Sequence, residues 1–150
     1  MLTHHYSELL HFHNALRWLV LLSGFLLIIG CVVGKLQGLA FKSTGRRLVA
    51  FYTSLLNCQF LLGVLLSFAS PLVHTFWANP AAGMKSHDLR FFAMEHTTLM
   101  IAALALGHIA SARSRRAPND SAAYTTALKW SAASLALILA GIPWWRPLLG

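Results

Sequence analysis

Acidic residues are almost missing from this sequence, with four Asp and Glu against twelve Lys and Arg in 150 residues. Charge of either sign is scarce too, at 11% of residues, where a soluble domain carries about 25%. That scarcity excludes an ordinary water-facing surface. A hydrophobic content of 57% excludes disorder, which needs the opposite composition. Cysteine occurs only as Cys31 and Cys58, both inside apolar runs and with no C-x-x-C pair. A thiol–disulfide oxidoreductase and a thiolate zinc site are therefore disfavoured, and both thiols are expected to pack as small hydrophobes. No Lys or Arg precedes Arg17, so the start of the chain is not expected to act as a cleaved signal peptide.

What is present is apolar length. A spanning helix needs about 20 apolar residues, and four such runs fall at about 15–33, 49–68, 90–110 and 125–142. They nearly exhaust the chain. The expectation is one all-α transmembrane domain over residues 1–150, an up-down four-helix bundle in the lipid bilayer. Its connections are expected as loops at Leu36–Leu48, at Leu72–Leu89 and around Pro118-Asn119-Asp120.

The basic surplus orients this bundle. Lys35, Lys42, Arg46, Arg47, Arg113, Arg115 and Arg116 sit in the first and third connections, with Lys129 at a helix edge, whereas the second connection has only Lys85 and Arg90. By the positive-inside rule the first and third loops are cytoplasmic and both termini lie on the outer side. Orientation accounts for most of the net charge of +8, and nucleic acid is not expected as a partner.

With that topology seven of the eight histidines (His4, His5, His11, His13, His74, His87 and His96) fall on the outer side, and only His108 lies near the inner side. His13 stands at the mouth of the first span with Arg17 four residues on. His96 lies about 9 Å down the third span by helical rise. The two helices are diagonal neighbours in an up-down bundle. Two imidazoles at similar depth suit the axial positions of one haem iron, with Arg17, Arg90 and Arg146 at the level of its propionates. His11 is the substitute for His13. Small residues below them, Gly24, Ala103 and Gly107, suit either a flat macrocycle or close helix packing.

Glu95 is costly inside a membrane. Its candidate roles are tuning the site, carrying protons, or pairing with Arg17 or Arg90. It points about 100° away from His96 around the helix. No inner-side partner exists for His108, so one haem is expected rather than two. Gln59, with Asn57 and Cys58 beside it, is a candidate for a quinone headgroup, a haem edge or an interhelical hydrogen bond. Trp18, Trp77, Trp144 and Trp145 fall where an aromatic belt belongs. The ending Ile142-Pro143-Trp144-Trp145-Arg146-Pro147 is unusual for a belt and would cap a pocket. The histidines His4, His5, His74 and His87, with Glu8 or Asp88, have no diagnostic metal spacing.

Three segments carry a family resemblance. His11-Phe12-His13-Asn14-Ala15-Leu16-Arg17-Trp18, Arg90-Phe91-Phe92-Ala93-Met94-Glu95-His96 and Ile142-Pro143-Trp144 resemble the H-x-H-x-x-L-R-W, R-F-F-x-x-E-H and I-P-W motifs of small bacterial membrane proteins labelled cytochrome b-like. The resemblance covers nearly the whole chain in element order. It implies a haem-b protein of the respiratory inner membrane, with functional residues at His13 (or His11), Arg17, Glu95 and His96. The broader cytochrome b561 architecture has a similar helix count, but this sequence lacks that architecture's histidine pair at the cytoplasmic end.

The resulting expectation is electron transfer through one haem b, held by His13 and His96 with Arg17, Arg90, Glu95, Arg146, Trp144 and Gln59 around it, and a quinone as a further ligand. The rival expectations are an accessory subunit of a larger respiratory or photosynthetic membrane complex, alone or as a homo-oligomer, and a copper or other metal handler at the outer histidines.

Overall fold

A computed structural model describes residues 5–146. Four long helices dominate: α1 (Tyr6–Leu36), α2 (Gly45–Ala69), α6 (His96–Arg115) and α7 (Asp120–Ala140). Between α2 and α6 lie three short helices, α3 (Pro71–Ala78), α4 (Pro80–Gly83) and α5 (His87–Arg90), and then a π-helical turn, Phe91–Glu95, that runs straight into α6. No strand occurs among the described residues.

The short helices occupy the stretch expected as a loop. Ser70-Pro71 and Asn79-Pro80 do end the preceding helix, but each also starts the next one. Ser70 Oγ accepts from the Val73 N–H and Asn79 Oδ1 from the Ala82 N–H, with proline at the first helical position in both cases. Proline suits that position because its missing N–H would be unpaired there anyway. Asn119 caps α7 in the same way, accepting from the Ala122 N–H at 2.9 Å.

The helix α1 begins well before the expected start at 15, so His11 and His13 lie inside it rather than at its mouth. It ends in a tight turn at Gly38, whose φ of +64° favours a residue without a side chain. The chain then folds back, and Phe41 is buried edge-on against Tyr124 with ring centroids 5.0 Å apart. The Phe41 N–H donates to Asp120 Oδ1 at 2.9 Å, which ties the α1–α2 connection to the start of α7.

The helix α1 packs against α2 and α7, and α6 packs against α2 and α7. Helices α1 and α6 thus lie across the diagonal, as expected. The core holds Val20, Leu27, Tyr52, Leu56, Ala103, Ala127 and Leu135. One polar chain crosses it. Ser134 Oγ donates to the Ala103 carbonyl at 2.7 Å, so the Tyr52 hydroxyl, 2.9 Å away, donates to Ser134 Oγ. This chain stitches α2, α7 and α6 together.

Three helical stretches, Tyr6–Leu36, Gly45–Ala69 and His87–Arg115, are long and apolar enough to cross a membrane. The outward faces of α1 and α2 show Leu19, Leu22, Phe25, Leu26, Ile29, Phe51 and Leu61 to the surroundings. Helix α7 is not among the three. It carries Asp120, Lys129 and several Ser and Thr residues, and it buries Ser131 and Ser134 among its neighbours.

Candidate functional site

One end of the long helices gathers most of the singled-out residues. The second turn of α1, the later half of α2, the first turn of α6 and the end of α7 meet there. His13 and His96 come together with ring centroids 6.3 Å apart and planes 69° apart. His11, the substitute for His13, faces outward and is exposed.

The hydrogen bonds fix the polarity of each ring. The Gly141 carbonyl can only accept, so His96 Nδ1–H donates to it at 2.7 Å. The neutral ring then keeps an acceptor lone pair at Nε2. Gln59 lies against His13. Its Nε2 is 3.0 Å from the His13 backbone carbonyl and 3.2 Å from His13 Nε2. A carbonyl cannot donate, so the amide must turn its NH2 that way, and His13 Nε2 accepts the second N–H. The neutral His13 ring therefore carries its proton on Nδ1. That Nδ1–H and Gln59 Oε1 are both buried and have no partner. Buried polar atoms are rarely left so, and both residues also line an opening.

The opening is a cavity of about 230 Å³ between α2 and α6. His13, Gln59 and His96 form its polar end. Leu56, Phe60, Val64, Met100, Leu104 and Ile138 make the rest apolar. Gly63, four residues after Gln59 on the same face of α2, keeps the wall open, since a Cβ there would come within 3.3 Å of His13 Cε1. Phe68, in the last turn of α2, and Ile101, in the second turn of α6, line it and are 66% and 51% exposed, so the cavity reaches the apolar flank near this end of the helices.

The other expected site residues sit around this cavity without lining it. Arg17 is buried and donates to Asn14 Oδ1 at 3.3 Å, with its guanidinium over Trp18. Arg90 pairs with Glu95 across the π-helical turn and also donates to the Met84 carbonyl. Arg146 pairs with Asp88 and lies 4.8 Å over the Phe92 ring. Of the candidate propionate holders, Arg90 and Arg146 thus already hold carboxylates. Trp144 is exposed and donates to the Leu139 carbonyl. Its neighbour Trp145 packs edge-on to His87 and Phe91 at 4.6 Å each, and neither tryptophan lines the cavity. Phe91 in turn lies 6.0 Å from His96.

The expected macrocycle gap is closed elsewhere. A Cβ on Gly24 would meet Leu135 and Tyr52, and one on Gly107 would meet Leu56. These glycines serve close helix packing. Only Ala103 of that set borders the cavity. His108 Nε2 meets Asn57 Oδ1 at 3.0 Å on the exposed side of α2 and α6.

Among the outer histidines, His5 meets Glu8, His74 meets the Phe68 carbonyl and His87 meets Asp88. His4 and Pro147 lie outside the described residues. Among the described residues no three His, Cys, Asp or Glu side chains converge as a metal site.

Sequence reasoning did not single out Gly63, Phe60 or the Gly141 carbonyl as parts of the site. Only Gly63 left a trace, through its i,i+4 spacing from Gln59. No protein family matches the chain, and neither a curated protein nor a solved structure does.

Proposed function

We propose that the chain is a membrane-spanning helical bundle whose cavity takes the headgroup of a quinone or quinol from the lipid. The observation that carries this reading is the pair of partnerless buried atoms, His13 Nδ1–H and Gln59 Oε1, at the polar end of an otherwise apolar cavity. A quinone offers carbonyl acceptors on one flat ring and, when reduced, hydroxyl donors. His13 Nδ1–H would donate to a ring carbonyl. Gln59 Oε1 and His96 Nε2 would accept from a quinol hydroxyl. The flank opening lets an isoprenoid tail stay in the bilayer while the ring enters. A bound quinone supplies two-electron redox chemistry, and the chain's part is to hold the ring and to supply or take its protons at His13 and His96. Respiratory electron transfer, within a larger complex or a homo-oligomer, is the setting for such a site.

A haem b between His13 and His96 is the second reading. The 6.3 Å ring spacing and the backbone hold on His96 favour it, since a ligating histidine commonly donates its other N–H to a carbonyl. The donors fit. The space fits less well. At about 230 Å³ the cavity is below the ≈ 300–1,000 Å³ of ordinary small-molecule pockets, and a porphyrin is larger than most such ligands.

Both readings meet one experiment. The full chain is purified from membranes, its reduced-minus-oxidised visible spectrum is recorded, and a solvent extract is analysed for quinones. We expect a co-purifying quinone in the wild-type protein and its loss in Gln59→Leu. A Soret band with an α-band, lost in His96→Ala, would establish the haem instead. A preparation with neither, made with haem and quinone supplied, overturns both.

A further inference from the structure

At the opposite end of the helices a second cleft, of about 530 Å³, opens between the end of α6 and the start of α7. Its working lining is Arg113, Arg116, Lys129, Thr125, Thr126 and Trp130. Three cations thus face one space with no carboxylate in its wall. The four acidic side chains of the protein all have partners elsewhere. Glu8 lies with His5, Asp88 with Arg146 and Glu95 with Arg90, and Asp120 takes the Phe41 N–H. None of the three cleft cations forms an ion pair among the described residues. The Arg113 guanidinium rests over the Trp130 ring at 5.4 Å, which fixes its position at the cleft wall.

We infer that this cleft binds the phosphate headgroup of an anionic phospholipid. The inference rests on the membrane-spanning reading but not on the quinone site. The cleft lies where the apolar stretch His87–Arg115 ends, at the level where lipid phosphates stand once that helix spans a bilayer. Guanidinium groups grip phosphate oxygens through paired N–H donors, and lysine adds a point charge. The two threonine hydroxyls supply neutral donors at the rim. Trp130, half-buried, suits the boundary between headgroup and acyl chain. Basic pockets between spanning helices are the common form of anionic-lipid sites on the cytoplasmic side. The arginines and lysine that serve as orientation signals in the sequence thereby gain a binding role. The polar character of α7, which sets it apart from the three apolar stretches, has a use as well.

The test is native mass spectrometry of the full chain in a neutral detergent with phosphatidylglycerol or phosphatidylcholine at equal concentration. We expect preferential retention of one phosphatidylglycerol. The triple variant Arg113→Gln/Arg116→Gln/Lys129→Gln should weaken that retention about tenfold or more. Lys35→Gln/Lys42→Gln/Arg47→Gln, an equal loss of charge away from the cleft, should leave it intact. Arg113→Lys, which keeps the charge, should lose only part. Equal retention of the two lipids, or equal loss in the two triple variants, overturns the proposal. Displacement of the lipid by an equal concentration of inorganic phosphate also overturns it, in favour of a soluble phosphate ligand. Quinone content measured on the same samples should be unchanged in the cleft variant, so failure here is distinct from failure of the cavity reading.

Discussion

Gln59 sets the chemistry of the cavity because one amide group decides the tautomer of His13. Its NH2 satisfies the His13 carbonyl and ring Nε2 together, which leaves Nδ1–H and Oε1 buried without a partner. Gln59→Leu removes one of these and leaves His13 Nε2 without its donor. A lost partner for a buried polar group costs about 1–3 kcal/mol, so quinone retention should fall by roughly five- to 150-fold. Gly63→Val tests the same site without touching a polar atom. Its side chain would narrow the cavity beside His13 Cε1, and it should abolish quinone binding while the protein still elutes as a folded species. Retention unchanged in both variants would place the ligand elsewhere. Much of the site's membership was readable at this scale, since His13, Gln59 and His96 were all named from sequence. Their partners were not. Arg90 and Glu95 are five residues apart, and Arg90 was one of two arginines named as a salt-bridge partner among the alternative roles of Glu95, but Arg146 and Asp88 are separated by 58 residues. His96 depends on a backbone carbonyl 45 residues away, and no residue type advertises that.

The elements follow local signals more closely than the loop reading allowed. Cap-plus-proline pairs at Ser70-Pro71 and Asn79-Pro80 are starts as well as stops, and treating them as stops alone hid α3 and α4. The first nine residues of α1 lack the apolar density of a span, so their helix was not legible from hydropathy. Between elements, fit depends on missing side chains. The Tyr124 ring of α7 fills the space over Gly34 of α1, where an added Cβ would overlap the ring. Gly34→Ala should therefore destabilise the fold by about 1–3 kcal/mol through overpacking. Thermal unfolding in detergent checks this, and Tyr124→Leu in the same chain should recover part of the loss. Strict additivity of the two changes would show that the glycine and the ring do not meet. The polar stitch makes a second case. Ser134→Ala removes the acceptor of the Tyr52 hydroxyl and the donor to the Ala103 carbonyl. It should cost more than Tyr52→Phe, which leaves the Ser134 to Ala103 bond in place.

For the molecule as a whole, the three resemblance motifs, distant in sequence, close on one place. His13 comes from the first, His96 and its Phe91 neighbour from the second, and Ile142 of the third directly follows the Gly141 carbonyl that holds His96. The apolar flank, the cavity near one end and the basic cleft at the other then form one polarised unit. Its polarity is a prediction that labelling can test. In a chain with Cys31 and Cys58 changed to Ser, single cysteines are placed at Ser43, Asn119 and Lys85 and treated with a membrane-impermeant maleimide on sealed cells. Ser43 and Asn119 lie in the connections at the basic end, and Lys85 lies beside α4 and α5 at the cavity end. The positive-inside rule requires the basic end to face the cytoplasm. Lys85→Cys should label from outside, and Ser43→Cys and Asn119→Cys only after the cells are opened. The α6–α7 connection decides whether α6 crosses the bilayer, since its side is set by the helices that precede it. Labelling of Ser43→Cys and Asn119→Cys from opposite sides would break the alternation of α1, α2 and α6. It would also separate the lipid cleft from the cytoplasmic leaflet. Labelling from one shared side keeps α1, α2 and α6 alternating across the bilayer, and it keeps the cleft at the end of α6 in the cytoplasmic leaflet.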